Sequence, residues 1–211
     1  MDFDWRSITS AAYLALVQLN IITFPISPEQ IKCEGVMVIS YQNYSKVTGK
    51  SLDQITCGHQ LDDAFILRNL RPGISFILYN EDKITSRVKH TLWHEVGHIK
   101  CKHNKHGDKE EIEANFFASQ ANAPNAIIKE ISMRGYKIDA QFLIDCFGLS
   151  TESSNKKMDY LRKYYFDHTN EYDDVILQLF SIFINSKYPS RSSHYNDDYF
   201  DELERKRENW Y

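Results

Sequence analysis

Two histidines four residues apart enclose a glutamate in His94-Glu95-Val96-Gly97-His98, the run in this 211-residue sequence whose residue types and spacing are suited to chemistry. On an α-helix, residues four apart are offset by about 40° around the axis and about 6 Å along it, so both imidazoles reach a single ion. Neutral imidazole is a preferred ligand of Zn²⁺ at ~2.0–2.1 Å, and catalytic zinc sites take three protein ligands while keeping a fourth position open. Glu95 follows the first histidine and is rotated off the ligand face. Its expected role is catalytic: general base to the water that the metal activates, then acid to the departing amine.

With 8 histidines among 211 residues, an HExxH run arises by chance in about one or two such chains per hundred. A third ligand is therefore required. The next helical segment offers Glu110, Glu111 and Glu113. Glu111 has Asn115 four residues later on the same face, so its carboxylate can bind metal while the amide oxygen accepts the free N–H of a ligand histidine. Glu113 is rotated about 200° from Glu111 and points away when Glu111 points in. The expected metal ligands are thus His94, His98 and Glu111, with Asn115 behind them. His90, one turn before His94, lies on the ligand face as a supporting or substrate-facing group. His103, five residues past His98, is expected to rotate away as a helix-end cation or structural hydrogen-bonder. His106 falls in a loop, and Cys101 is left out of the ligand set because the fourth position must stay open.

These groups need a helix over Ile84–His103, where Val88, Leu92, Val96 and Ile99 form an apolar stripe, and a second over Asp108–Ala121, stopped near Pro124. Upstream, an amphipathic helix is expected from Ser7 to about Leu19, capped by Ser7 or Thr9. Strands are expected in the GVMVIS stretch, at Ala64–Leu67 and at Ile74–Tyr79, the last two joined by an Arg71-Pro72-Gly73 turn. ISFILY is the strand expected to offer its edge to an extended peptide. Helices should follow at 127–133, 138–147, 151–165 and in the apolar block from Val175 to Ile184. From Ser186 the chain turns polar and aromatic, then mixed in charge, as a loosely attached tail would.

The blocks ISFILYN at 74–80, TLWHEVGHIKCKH at 91–103 and EIEANFFASQANAP at 111–124, with FGLS at 147–150 beyond them, resemble the ImmA/IrrE-type zinc metallopeptidases in content and order. Members of that family more often carry phenylalanine at the place of His90 and a small residue at that of Trp93. The resemblance implies the same metal ligands, His94, His98 and Glu111, and the same catalytic carboxylate, Glu95. It implies an α+β fold: a mostly helical, zincin-like metallopeptidase core with a small mixed or antiparallel three-stranded sheet and a C-terminal helical segment. The domains expected are a zinc metallopeptidase core over 1–124, a helical subdomain with a helix-turn-helix cadence over 125–185, and the tail over 186–211. The implied activity is that of a zinc endopeptidase cutting a helix-turn-helix repressor at one site, an anti-repressor serving a mobile element, prophage or stress regulon. The rival expectation is a repressor-binding regulatory module that does not cleave and uses its metal for structure.

Composition narrows the partners. A hydrophobic content of 42% supports a buried core, and a net charge of −4, from 25 basic and 29 acidic side chains, supplies no general field for a polyanion. Direct nucleic-acid binding is not expected, and the partner class is a protein substrate. Cys33, Cys57, Cys101 and Cys146 form no CxxC pair and suggest reduced thiols in a cytoplasmic protein. The first residues lack a basic start and a cleavage site, and no apolar run approaches the ~20 residues of a membrane span. Oligomeric state is not written in the sequence.

Overall fold

The computed structural model describes residues 3–56, 64–71, 74–105, 107–164 and 169–190. Cys57, most of the expected Arg71-Pro72-Gly73 turn, His106 and the tail from 191 onward lie outside them. The chain divides into two compact units, Met1–Ile21 with Pro25–Asn122, and Ile22–Phe24 with Ala123–Tyr211.

In the first unit, α1 (Trp5–Gln18) starts at Asp4, whose carboxylate accepts the Ser7 N–H at 3.0 Å. Ser7 and Thr9 are not the cap: both lie inside the helix, and the Thr9 hydroxyl donates to the Trp5 carbonyl at 2.8 Å. An aspartate here satisfies an orphan donor and places negative charge at the positive end of the helix.

Three strands, β1 (Val36–Ser40), β2 (Ala64–Arg71) and β3 (Ile74–Tyr79), make the expected small mixed sheet, in the order β1-β3-β2. β2 pairs antiparallel with β3, Phe65 opposite Leu78, while β1 pairs parallel with β3, Val38 opposite Ile77. β3, the ISFILY strand expected at an edge, is therefore the interior strand. The β2–β3 pair leaves one side of β3 open, and β1, separated from the pair in sequence by α2 (Tyr41–Thr48) and α3 (Leu52–Thr56), fills it. Among the described residues the sheet edges are β1 and β2.

Ile77 and Leu78 are both fully buried, and successive strand residues face opposite ways, so the sheet is covered on both faces. Leu78 packs in a cluster with Tyr41 and Ile55, joined by Phe65, Leu67 and Phe76. Against β2 and β3 lies α4 (Thr85–Lys100), which also packs along α5 (Asp108–Asn122); α5 in turn packs on α1. Leu92, Trp93 and Val96 of α4 and Ala114, Phe117, Ala118 and Ala121 of α5 are all fully buried. The alanines let the two helices come close.

α4 stops three residues short of the expected His103. Lys102 adopts the left-handed conformation at φ 58°, its N–H donates to the Ile99 carbonyl at 3.1 Å, and the His103 N–H donates to the His98 carbonyl at 2.9 Å. This is a Schellman stop with lysine where glycine is usual. A side chain in that conformation costs roughly 1–2 kcal/mol. Lys102→Gly is thus expected to raise stability by about 1 kcal/mol, which a shift in denaturation midpoint would register; an unchanged or lower midpoint would show that the lysine side chain compensates.

The second unit holds α6 (Asn125–Met133), α7 (Ala140–Phe147), α8 (Thr151–Tyr164), α9 (Asp173–Leu179) and α10 (Ser181–Lys187). Gly148, left-handed at φ 65°, ends α7 before α8 begins. The apolar block 175–184 is divided at Phe180, whose ring stacks on Phe24 at 4.7 Å, and Phe24 also meets the Phe147 edge at 4.9 Å. Ser186 and Lys187, expected in the tail, complete α10.

Lys157, on α8, is 3% exposed, with its ammonium 5.7 Å from the Tyr160 ring centroid. Burial lowers its pKa from 10.5 to about 7. Between those values the unfolded chain holds a proton that the folded chain lacks, so stability rises with pH from about 7 to about 10; below about 7 both states are protonated and the slope vanishes. Lys157→Met, which keeps the apolar stem, should flatten this rise in urea midpoints taken across the window. A slope that persists in the variant would assign it to other groups.

No described helix is long and apolar enough to cross a membrane.

Candidate metal centre

α4 presents His94 and His98 one turn apart, and α5 presents Glu111 and Asn115 one turn apart. What brings the two pairs together is Gly97. A Cβ at that position would meet Cβ, Cγ and Cδ1 of Phe117 at 3.2 Å each, and Phe117 is fully buried. The absent side chain sets the distance between the helices.

Across that contact His94 Nε2 lies 3.2 Å from Glu111 Oε2, and His98 Nε2 lies 3.4 Å from Glu111 Oε1. The two Nε2 atoms are 3.0 Å apart. One ligand atom from each of His94, His98 and Glu111 falls within 4.8 Å of the others, and among the described residues this is the group able to hold a metal ion. The His98 side chain is 1% exposed and that of Glu111 45%, so the group is closed on the helix side and open to solvent on the other.

The hydrogen bonds behind the group assign its protons. Asn115 Nδ2 donates to the Glu111 carbonyl at 2.8 Å, which fixes the amide orientation and turns Oδ1 towards His94 Nδ1 at 3.2 Å. A carbonyl oxygen only accepts, so His94 carries its proton on Nδ1 and its Nε2 holds a lone pair. Burial holds the His94 imidazole below its ordinary pKa, against the upward pull of the Glu111 charge and the Asn115 bond. The ring stays neutral, the form a metal requires. A lone pair, a carboxylate and a second imidazole nitrogen aimed at one point repel each other until a cation stands between them. Two imidazoles, one carboxylate and an open side match the donor set of a catalytic zinc site rather than a closed, four-ligand structural one.

Glu95 follows His94 on α4 and is half-buried; His90, also half-buried, lies one turn earlier on the same stripe. Trp93 is fully buried with its ring 6.2 Å from that of Phe117, and fills core. Cys101 caps α4, and burial, with Glu113 nearby, pushes its thiol up to about 11, so it offers no thiolate.

His103 stays out of the ligand group and is a structural hydrogen-bonder, one of the two roles expected for it, but it reaches that role from beyond the end of the helix. The Schellman stop folds it back beneath α4, 7% exposed, with Nδ1 3.0 Å from His98 Nδ1 and Nε2 3.0 Å from Glu113 Oε2. Glu113 points off the ligand group and serves this second histidine. Sequence reasoning did not identify these partners, because helical periodicity was carried past the residue where the helix ends.

Residues 56–159 match the model of a known family, Peptidase_M78, described as the IrrE N-terminal-like domain. That span contains His94, Glu95, His98, Glu111 and Asn115. No curated protein and no solved structure matches the chain.

Proposed function

Because the chain belongs to the Peptidase_M78 family of IrrE N-terminal-like domains, we propose that it is a zinc-dependent, site-specific endopeptidase of the cytoplasm that cleaves a helix-turn-helix transcriptional repressor. The observation that carries the metallopeptidase part is the convergence of His94, His98 and Glu111 on one point that stays open to solvent. The repressor as substrate rests on the family resemblance, and relief of repression of a mobile element, prophage or stress regulon follows from it.

Zinc, when bound, supplies a Lewis acid that polarises the scissile carbonyl and brings the pKa of water down to around 7. His94 and His98 would hold it with neutral nitrogens, and Glu111 would offset part of its charge. Glu95 takes the proton from the attacking water and returns it to the departing amine nitrogen, so the carboxylate is restored when the peptide bond has broken. His90 faces the same side of α4 and would contact substrate.

An extended peptide needs a free sheet edge, and β3 has none, being paired on both sides. β2 is the edge strand against which α4 packs, so it is the rim along which a substrate strand would gain main-chain hydrogen bonds.

The test is to incubate the zinc-loaded protein with purified candidate helix-turn-helix repressors, with and without a chelator, and to read intact masses. Two fragments whose masses sum to the substrate plus one water, formed only without chelator, are expected. A loss of operator binding with no shortened product would instead identify the non-cleaving, repressor-binding module.

A further inference from the structure

We propose that His103 and Glu113 are positioning residues that lock His98 in the tautomer offering Nε2 to the metal, an inference that rests on the His94, His98 and Glu111 group being a metal site. Each link follows from what its atoms can donate. The Glu113 carboxylate only accepts, so at 3.0 Å from His103 Nε2 it faces a proton carried by that nitrogen. A neutral ring with its proton on Nε2 has a lone pair on Nδ1. That lone pair lies 3.0 Å from His98 Nδ1 and accepts the proton that His98 carries there, whereas the Nε2 atoms of His94 and His98, also 3.0 Å apart, face each other where the metal would stand. His98 Nε2 is left bare, directed at Glu111 Oε1 and His94 Nε2. The opposite assignment would put a proton on His98 Nε2 and close the position to a metal.

The two ligand histidines are therefore oriented by different devices. His94 is held from α5 by an exposed asparagine, His98 from beneath by a second imidazole and a carboxylate. The second device is nearly dry: His98 is 1% exposed, His103 7%, and the Glu113 side chain 15%. In such surroundings hydrogen bonds polarise one another and a misplaced proton is costly. The Lys102 turn makes the device, because it is what carries His103 back under His98. Lys109 Nζ, 3.7 Å from Glu113 Oε1 and 45% exposed, is a surface partner that adds little.

The experiment measures zinc affinity of the full chain by competition with a chromophoric chelator. His103→Leu should weaken zinc about 10–100-fold. His103→Gln should stay within a few-fold of wild type, because one amide accepts from His98 Nδ1 through its oxygen and donates to Glu113 through its nitrogen. Long-range ¹H–¹⁵N spectra of the metal-free wild type should already show the His98 proton on Nδ1, and a purely structural His103 predicts no such preference. Wild-type affinity in a folded His103→Leu protein, or a His98 proton on Nε2 in the wild type, would overturn the proposal. If His103→Leu does not fold, the His103→Gln affinity and the wild-type tautomer decide. A wild type that binds no zinc sinks the metal site and this proposal together; tight wild-type binding that ignores His103 sinks this proposal alone.

Discussion

Glu95→Gln is expected to slow peptide cleavage by about 10²–10⁴-fold while the protein still binds one equivalent of zinc. The substitution keeps size, hydrogen-bonding capacity and α4 itself, and leaves His94, His98 and Glu111 untouched. What it removes is a group that can accept a proton near neutral pH and hand it to the leaving amine. Single-turnover cleavage and metal content measured on the same sample separate the two roles. Full activity in the zinc-loaded variant would take the proton-transfer role away from Glu95, and loss of zinc would mean that the carboxylate supports the ligands.

The second large effect is expected at Gly97. Helix propensity alone favours alanine over glycine by up to ~1 kcal/mol. Against that, the new Cβ would stand 3.2 Å from three atoms of Phe117, one of them the Cβ fixed to the α5 backbone. Phe117 is itself fully buried, with its ring 6.2 Å from that of the fully buried Trp93, so it has little room to yield. Overpacking of this kind costs about 1–3 kcal/mol, and the steric effect wins. Gly97→Ala should therefore destabilise the protein, and by pushing α5 outward it should carry Glu111 and Asn115 off the histidines and weaken zinc about tenfold or more. Trimming the ring with Phe117→Leu in the same chain should restore part of both losses. A Gly97→Ala protein that is more stable and binds zinc normally would show that the helix contact has slack.

The metal group was legible because its information is local. HExxH and ExxxN each sit within one helical turn, and the 3.6-residue period converts spacing into direction without knowledge of the rest of the fold. The choice of Glu111 over Glu113 followed from the same arithmetic. It did not reveal the partners of His103, because the helix ends before a lysine in a left-handed conformation, and lysine carries no stop signal as glycine would. The strands were recognisable from β-branched and aromatic runs, but their order was not, since which strand lies between the others is fixed by long-range pairing. α2 and α3 are short and polar and left no periodic trace. Phe24 gives no local hint that its partners are Phe147 and Phe180, more than a hundred residues on.

On the proposed activity, the interior position of β3 reaches beyond this chain to the condition of its substrate. A guest laid along the β2 rim must bring its own unsatisfied amides and carbonyls, and a residue inside a regular helix has none to spare. The scissile bond should thus fall in a linker between folded pieces of the target, or in a stretch that melts first. Susceptibility would then track how readily the victim frays, and a ligand that stiffens that stretch would protect it without ever touching the protease.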